Sequence, residues 1–353
     1  MRHAMKTDLM IDQILAEENL TPGSMLQAEH ACPICERRTR RLLSRHGRHF
    51  ERLDTVICTG CGLIHSHPIP SQGDLEDYYR ETYRSDYKST RTPKLKHLVR
   101  YAPGVLARVF EIQRYTRPDQ RVLLDIGSGC GDFLYMATKL GFQARGLEPH
   151  QGYAAFARSE LGMPVETASF ETTSFAPGAF DVINLHHVLE HMSEPVVTLR
   201  RLHTLLREDG LLAIAVPDIS LGAHAPRTQF HRAHIYNYNH ETLTAVLSRA
   251  GFKALNPELG STSLMACKVS SARDTGPRSL PHNYEALWSQ LGSHSSTRHY
   301  LCARPYRRFI KKLLRYPAET LLAGRYRTPR RILDACFNRS VSPRPPGADG
   351  LSA

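Results

Sequence analysis

The stretch VLLDIGSGCGDFL, residues 122–134, decides the fold of this chain. An apolar run ends at Asp125, and three glycines follow at alternate positions, Gly127, Gly129 and Gly131. In a doubly wound sheet, a glycine-rich turn between the first strand and the first helix lies at the carboxyl ends of the strands, where ligands bind. The stretch therefore predicts a ligand that the backbone approaches closely, because glycine has no Cβ to hold it away.

Short apolar runs alternate with helical patterns around this turn. The strand-like runs are 121–126, 143–149, 180–185 and 210–217, and the helix-like patterns are 131–141, 151–161, 195–207 and 240–250. This alternation predicts an α/β fold with a parallel sheet covered by helices on both faces. Two further runs, 251–259 and 261–269, predict a hairpin that closes one edge of the sheet.

The spacing of the glycines disfavours two common ligands of such turns. A dinucleotide-binding turn has the pattern G-x-G-x-x-G, which requires a glycine at position 132, but this chain has Asp132 there. A phosphate-binding P-loop has the pattern G-x-x-x-x-G-K followed by Ser or Thr, and the sequence contains no such pattern. Neither NAD nor a P-loop nucleotide is expected.

Four of the eight cysteines form two C-x-x-C pairs, Cys32 with Cys35 and Cys58 with Cys61, separated by 22 residues. Each pair can form a tight knuckle, and the spacer is long enough for a hairpin that brings the knuckles together. Four thiolates saturate a tetrahedral zinc ion, so we expect a structural Zn2+ with no open position for substrate. A redox role for the pairs is the less favoured alternative, and scattered cysteines suit a reducing compartment.

The central pattern resembles class I S-adenosylmethionine-dependent methyltransferases. It consists of D-x-G-x-G-x-G after the first strand and an acidic residue, Glu148, seventeen residues after Gly131. The resemblance implies a seven-stranded Rossmann-like sheet with S-adenosylmethionine bound across Asp125, Gly127, Gly129 and Gly131. It also implies that Glu148 accepts hydrogen bonds from the ribose hydroxyls and that His186 lines the cofactor pocket.

The flanking segments narrow this resemblance. The two cysteine pairs, the tyrosine-rich segment after them, HHVLEHM (186–192) and FHRAHIY (230–236) together resemble zinc-ribbon methyltransferases of bacterial sugar and cell-surface glycan biosynthesis. The resemblance spans roughly residues 31–270. Sugar C-methyltransferases of this type carry a long C-terminal catalytic domain, whereas residues 271–353 are short and basic. O- or N-methylation of a sugar, glycan or related small molecule is therefore expected.

Histidines after the strand-like run 180–185 supply candidates for the general base. A sugar hydroxyl is hardly ionised at neutral pH, and histidine titrates in the range that a base requires. If the segment is helical, His187 and His191 share a face and Glu190 orients one of them. His234 lies on the loop that arches over the same pocket. A metal ion held by His187, His191 and His234 is disfavoured, because the H-E-x-x-H spacing is absent and methyl transfer needs no metal.

The chain divides into segments of different composition. We expect an N-terminal tail or helix (1–30), a zinc ribbon (31–66), a linker with a tyrosine-rich lid (67–118), the methyltransferase domain (119–270), a basic helical extension (271–338) and a disordered tail (339–353). The linker contains four closely spaced tyrosines, Tyr78, Tyr79, Tyr83 and Tyr87. They either cover a polar substrate or pack the ribbon onto the main domain.

The positive charge is concentrated near the C-terminus. The chain carries a net charge of +12, and residues 271–353 have 15 Lys plus Arg against 5 Asp plus Glu. Within them, 304–316 has the pattern of a basic amphipathic helix. Such a helix docks on its own domain, lies on an anionic membrane surface, or contacts RNA phosphates, in that order of preference.

Three classes of function stay open at this point. The favoured class is a methyltransferase for a small molecule or glycan. Nucleic-acid methylation, on ribose or base, is less favoured because the Asn/Asp-Pro-Pro-aromatic turn that clamps a flipped base is replaced by Asn184-Leu185-His186-His187. A non-catalytic protein that binds S-adenosylmethionine is the third. The sequence shows no signal peptide and no apolar run of 18–20 residues, so we expect the cytoplasm or the inner face of the membrane.

Overall fold

The computed structural model describes residues 20–48, 51–71, 73, 92–221, 229–257, 260–269, 276, 278–292 and 304–341. The four tyrosines expected in a lid lie outside these residues. The strands within them are β1 (Met25–Gln27), β2 (Thr39–His46), β3 (Arg52–Cys58), β4 (Ile64–His67), β5 (Val122–Ile126), β6 (Gln143–Leu147), β7 (Val165–Glu166), β8 (Phe180–His186), β9 (Leu206–Ala215), β10 (Tyr236–Asn237), β11 (Phe252–Ala254) and β12 (Ser263–Lys268).

Seven strands form one mixed sheet in the order β11-β12-β9-β8-β5-β6-β7. The five strands β9, β8, β5, β6 and β7 pair in parallel with their neighbours. Strand β12 is antiparallel to both β9 and β11. The predicted α/β class and the edge hairpin are thus confirmed. The sequence pattern did not reveal that β12 inserts between β9 and β11, because a hairpin pattern does not specify which of its strands joins the sheet.

Helices cover both faces of this sheet. They are α1 (Leu95–Arg114), α2 (Asp132–Lys139), α3 (Gln151–Phe156), α4 (Pro195–Leu205), α5 (His240–Arg249), α6 (Pro281–Gly292), α7 (Arg304–Tyr326) and α8 (Pro329–Val341). Side chains alternate across a strand, so Leu123 packs among residues of α1 and α2, and its neighbour Leu124 packs among residues of α4 and α5. This two-sided burial explains why the central strands are apolar throughout.

A second, antiparallel sheet contains the two cysteine pairs and has the order β1-β2-β3-β4-β10. Its fifth strand comes from the central segment 119–270, where Tyr236 pairs with His65. The sheet thus begins before residue 31 and extends beyond the segment 31–66 that the sequence predicts. Its knuckles also pack against α4 and α5 through Ile34 and Leu63, which belong to the same buried cluster as Leu199.

The C-terminal helices pack on both sheets. Tyr284 and Trp288 of α6 lie against the cysteine-containing sheet, and Asn283 donates to the backbone oxygen of Cys61 at 2.8 Å. Leu333 of α8 is fully buried in the cluster that contains α1 and α2. Helix α8 continues through residue 341, so the first residues of the expected tail are helical. Among the described helices, none has the length and apolar character needed to cross a bilayer.

Candidate functional site

The glycine-rich turn borders a cavity of about 570 Å³ at the carboxyl ends of β5 and β8. Helix α1 forms the opposite wall. Most of the lining comes from three segments, 93–108, 125–133 and 184–191. The lining residues used below are Tyr101, Arg108, Asp125, Gly127, Gly129, Asn184, His186, His187, Glu190, His191 and His234. The sequence-predicted cofactor turn and the predicted histidine segment thus meet in one cavity, as the parallel sheet requires.

The three glycines of the turn all have left-handed backbone angles, with φ between 56° and 79°. A Cβ at Gly127 would lie 2.6 Å from Cγ2 of Val188, and one at Gly131 would lie 2.8 Å from Cβ of Ala157. These two glycines therefore permit packing of the protein against itself. Only at Gly129 would a Cβ meet nothing within 4 Å, so this glycine alone leaves open space beside the turn for a ligand.

Asp125 is buried at the end of β5, and Asn184 Nδ2 donates to its Oδ1 at 2.5 Å. Burial raises the pKa of Asp125 to about 7, against the opposing effects of the Arg108 charge and the hydrogen bond from Asn184. A buried carboxyl that is half ionised near neutral pH is stabilised by a cationic ligand. The ammonium group of an amino-acid ligand has this chemistry.

Glu148, at the end of β6, contacts the turn directly. Its carboxylate accepts hydrogen bonds from the backbone N–H of Gly129 at 2.8 Å and of His150 at 2.9 Å. The residue is 3% exposed and is not among those that line the cavity. The structure therefore shows Glu148 as a residue that orients the turn, and the ribose contact stays a prediction.

Sequence reasoning missed Arg108 of α1. Its guanidinium lies 4.6 Å from the ring centre of Phe133, and its buried Nε has no hydrogen-bond partner among the described residues. Burial lowers the pKa of Arg108, and Asp125 and Asp132 oppose that effect. The signal was present in α1: Tyr101, Val105 and Arg108 follow one another at helical spacing, which places the arginine on the face toward the sheet.

The helix that would place His187 and His191 on one face is not formed. Strand β8 ends at His186, His187 has φ of 57°, and 189–191 form a single 3₁₀ turn. The backbone N–H of His187 donates to the oxygen of Ala215 at 2.8 Å, which continues the pairing with β9 and prevents a helix from starting there. Burial lowers the pKa of the neighbouring His186 to about 2, so that ring is neutral.

The four predicted catalytic residues nevertheless lie close together, because His187 and the 3₁₀ turn 189–191 are next to His234. Nitrogen atoms of His187, His191 and His234 lie 3.5, 3.7 and 3.9 Å from Oε1 of Glu190. Glu190 is 1% exposed, whereas the His187 side chain is 49% exposed. Burial and the nearby rings of His191 and His231 lower the pKa of His234 well below its usual range. His187 is thus the accessible histidine of the group.

The four cysteines of the two C-x-x-C pairs form one compact cluster, and none of them is in a disulfide. Sγ of Cys32 lies 3.5 Å from Sγ of Cys61, and Sγ of Cys35 lies 3.4 Å from Sγ of Cys58. A tetrahedral zinc ion with Zn–S bonds of about 2.3 Å separates its sulfurs by about 3.8 Å, so the donor set fits zinc. Gly60 permits the second knuckle, because a Cβ there would lie 2.8 Å from Sγ of Cys35.

Comparison with known proteins finds a match for the central segment. Residues 95–256 match a family model described as a methyltransferase domain. An uncharacterized methyltransferase from Mycobacterium sp. (strain KMS) is 32% identical over 97 residues, which is 26% of this chain and 37% of that protein. The chain thus matches well under half the length of this relative.

Solved structures give weaker likenesses. A 1,6-didemethyltoxoflavin N1-methyltransferase from Burkholderia thailandensis, with bound 1,6-didemethyltoxoflavin and S-adenosylhomocysteine, is 18% identical with a TM-score of 0.43, covering 59% of this chain and 96% of that one. An S-adenosylmethionine-dependent methyltransferase from Archaeoglobus fulgidus is 20% identical with a TM-score of 0.35, covering 48% and 73% of the two chains. Likenesses at these TM-scores carry no functional conclusion.

Proposed function

We propose that this chain, which carries a methyltransferase domain over residues 95–256, transfers a methyl group from S-adenosylmethionine to a hydroxyl or amine of a sugar, glycan or related small molecule. One observation carries the proposal. The glycine turn, Asp125 and the histidine segment surround a single cavity at the carboxyl ends of β5 and β8, beside the open position at Gly129.

Two opposite charges in the cavity suit the amino-acid end of the cofactor. Asp125, oriented by Asn184, binds the ammonium group, and Arg108 binds the carboxylate. A charged hydrogen bond of this kind is worth about 1.5–3 kcal/mol, so each contact contributes substantially to affinity. Glu148 stands beside Gly129 at the end of β6, and we retain it as the acceptor for the ribose hydroxyls.

His187 is the proposed general base. When bound, S-adenosylmethionine supplies a methyl group whose carbon–sulfur bond breaks, with its electron pair left on sulfur, as the bond from the acceptor atom to the methyl carbon forms. His187 takes the acceptor's proton on a ring nitrogen, since its side chain is half exposed to the cavity and Glu190 Oε1 lies 3.5 Å from Nδ1. His191 is the less suitable base, because Ala233 accepts a hydrogen bond from its Nδ1 and its side chain is 11% exposed.

Methyl transfer from tritiated S-adenosylmethionine into a fractionated bacterial extract tests the acceptor class. Label in soluble nucleotide-sugar or lipid-linked glycan fractions supports the proposal. Label in RNA contradicts the acceptor and favours the nucleic-acid alternative, and retained cofactor binding without any transfer favours the non-catalytic one. His187→Ala should abolish transfer while cofactor binding persists. Full activity in His187→Ala would contradict the base assignment, and loss of activity in His191→Ala alone would transfer the role to His191.

We further propose that the four-cysteine cluster, Cys32, Cys35, Cys58 and Cys61, holds a structural zinc ion. Arg40 is fully buried beside it, and its Nη1 lies 3.7 Å from Sγ of Cys58. Four thiolates around zinc carry a net negative charge of two, which a buried guanidinium offsets. Zinc here orients the knuckles that pack on α4 and α5, and it takes no part in methyl transfer.

The basic helix α7 is proposed to contact an anionic membrane surface, which would place a membrane-linked acceptor near the cavity. Tyr306, Ile310, Leu313 and Leu314 are each more than half exposed, so the docking of these side chains on their own domain is not observed. The helix is held at its other end, where Arg100 pairs with the buried Glu319. The arrangement leaves an apolar stripe among basic residues facing outward.

Vesicle sedimentation tests the membrane contact. The chain should sediment with vesicles of phosphatidylglycerol and phosphatidylcholine, but not with phosphatidylcholine alone, and high salt should release it. Leu313→Glu with Leu314→Glu should abolish sedimentation, whereas Val197→Glu, at an equally exposed position on α4, should not. Equal sedimentation of the double variant would contradict the contact, and binding of RNA lost in that variant would favour a nucleic-acid role for α7.

A further inference from the structure

We propose that Glu190, His191 and His234 form a second metal centre, a site for one divalent transition-metal ion on the wall of the cavity. One ligand atom from each residue lies within 4.8 Å of the other two. The site is chemically distinct from the four-cysteine cluster, because its donors are two imidazole nitrogens and a carboxylate oxygen. Metal binding here does not depend on the proposed methyl transfer, although its use in catalysis rests on that function.

The carboxylate of Glu190 carries the inference. The residue is 1% exposed, and within the described chain neither Oε1 nor Oε2 has a hydrogen-bond partner. An ionised carboxylate buried in this way costs several kcal/mol unless a cation or hydrogen-bond donors compensate it. Three histidine rings have a nitrogen 3.5–3.9 Å from Oε1, which is longer than an ordinary hydrogen bond.

His191 faces this carboxylate with a defined ring nitrogen. Its Nδ1 lies 2.5 Å from the backbone oxygen of Ala233, and since a carbonyl only accepts, Nδ1 carries the proton. In the neutral ring Nε2 then has a lone pair, and that atom lies 3.7 Å from Oε1 of Glu190. Two lone pairs at this distance repel one another, whereas a metal ion between them binds both. Metal-bound histidines commonly donate their other N–H to a backbone carbonyl in this way.

His234 completes the donor set from another element. Its Nε2 lies 3.9 Å from Oε1 of Glu190, and its ring lies 5.1 Å from that of His191. Bonds of about 2.0–2.2 Å to nitrogen and oxygen separate tetrahedral ligand atoms by about 3.4 Å. The two nitrogen-to-oxygen distances thus need to contract by about 0.3–0.5 Å, and the two imidazole nitrogens lie within 4.8 Å of each other. The H-E-x-x-H pattern is absent because Glu190 and His191 are adjacent on a 3₁₀ turn and His234 comes from a distant loop.

The ligand set indicates the class of metal. Two histidines and one carboxylate suit Zn2+ or Fe2+ and leave coordination positions open. His187 lies beside this ligand set, since its Nδ1 is 3.5 Å from Oε1 and its side chain is half exposed. An acceptor hydroxyl bound to the metal would lose its proton more readily, since a divalent ion lowers the pKa of a bound hydroxyl. His187 would then take that proton, so the metal and the proposed base act together.

Metal content of the purified full chain tests the site. After saturation with Zn2+ and removal of loosely bound metal, elemental analysis should show one equivalent less in His234→Ala than in the unsubstituted chain. Glu190→Gln, which preserves shape, should weaken binding of that equivalent by at least about 10–100-fold. His186→Ala is the matched control, because it removes a histidine from the same cavity that is not in the ligand set. It should retain the full metal content.

Replacement of zinc by Co2+ adds a readout that does not depend on stoichiometry. The intense thiolate-to-cobalt absorption should persist in His234→Ala, and the weaker bands of the nitrogen and oxygen site should disappear. Equal metal content and equal spectra in the unsubstituted chain and in His234→Ala would overturn the proposal. An NMR signal showing His191 protonated on both nitrogens with metal in excess would also overturn it, because an ion pair between His191 and Glu190 would then explain the cluster.

Calorimetry with S-adenosylhomocysteine separates the metal site from the proposed function. Cofactor binding without the second metal overturns only the metal site, and two metals without cofactor binding overturn only the proposed function.

Discussion

At the scale of single residues, the cofactor turn combines groups whose roles the sequence pattern does not separate. Gly127 and Gly131 avoid contacts with Val188 and Ala157, so they serve folding, whereas Gly129 borders open space. Asp125 is buried, and burial raises its pKa to about 7 because it disfavours the ionised carboxylate. The pattern D-x-G-x-G-x-G therefore contains two glycines that permit packing and one that leaves open space beside the turn.

Substitution of two glycines should separate these roles. Gly131→Ala should destabilise the fold by a few kcal/mol, because its Cβ would lie 2.8 Å from that of Ala157 and its φ is positive. Gly129→Ala should cost only the strain of a left-handed alanine, about 1–2 kcal/mol, and should chiefly weaken S-adenosylhomocysteine binding. Thermal unfolding and calorimetry measure the two effects. Equal losses of stability with equal cofactor affinity would contradict the division of roles.

The raised pKa of Asp125 should appear in the pH dependence of stability. The carboxyl titrates near 3.8 when unfolded and near 7 when folded, so the folded state binds more protons between these values. The free energy of unfolding should therefore fall as pH rises from about 4 to about 7, by an amount on the order of 4 kcal/mol. Asp125→Asn should remove this fall while weakening cofactor binding. The exposed Glu171→Gln is the control, and a similar flattening of the curve in that variant would contradict the assignment.

At the scale of elements, the sequence predicted the strands and helices of the central segment well. Their apolar runs and helical periodicity are local signals, and β5, α2 and β8 lie within a few residues of the predicted bounds. In the segment after β8, a helix would place His187 and His191 on one face. Pairing of His187 with Ala215 of β9 prevents that helix, and such a contact between distant residues leaves no mark in local periodicity.

The same limit applies to the site. The glycine turn, Asp125 and the four cysteines carry local spacing signals, so the sequence located them. The convergence of His234 with Glu190 depends on the return of the chain after β9, which places the oxygen of Ala233 against His191. Arg108 reaches the cavity from α1, which precedes the recognisable motif. Residues from separate elements can be assigned to one site only when the tertiary arrangement is known.

Helix α8 offers a test at this scale, because it lies in the segment that the sequence predicted as a basic extension. Leu333 is fully buried among residues of α1 and α2. Leu333→Ala should lower the free energy of unfolding by about 2–5 kcal/mol, as for other buried leucines. Val341→Ala, at the exposed end of the same helix, should have an effect within about 0.5 kcal/mol. Equal effects in denaturant unfolding would show that α8 is not part of the core.

At the scale of the whole molecule, the cysteine-containing sheet and the seven-stranded sheet share one buried cluster. Cys32, Ile34 and Leu63 belong to the same cluster as Leu199 and Leu243 of α4 and α5. Helix α6 adds a further connection, since the N–H of Leu280 just before it donates to the oxygen of Gly60 at 2.8 Å. The two sheets are therefore expected to unfold together.

Loss of metal from the cysteine cluster should consequently destabilise the whole chain. Structural zinc contributes about 10–16 kcal/mol in isolated zinc fingers, which is an upper bound here. Cys58→Ser, or a strong chelator, should lower the midpoint of thermal unfolding of both sheets in a single transition. Cys267→Ser, at a partly exposed cysteine outside the cluster, should leave it unchanged. Two separate transitions after chelation would show that the sheets fold independently.

Calorimetric titration of the full chain with S-adenosylhomocysteine, with NAD titrated in parallel, tests the central claim most directly. We expect one equivalent of S-adenosylhomocysteine to bind, with affinity reduced in Arg108→Ala and Gly129→Ala, and no binding of NAD. Binding that is unchanged in both variants would place the cofactor outside the cavity between α1 and the glycine turn. The absence of S-adenosylhomocysteine binding, or tight binding of NAD in its place, would contradict the assignment of this chain as an S-adenosylmethionine-dependent methyltransferase.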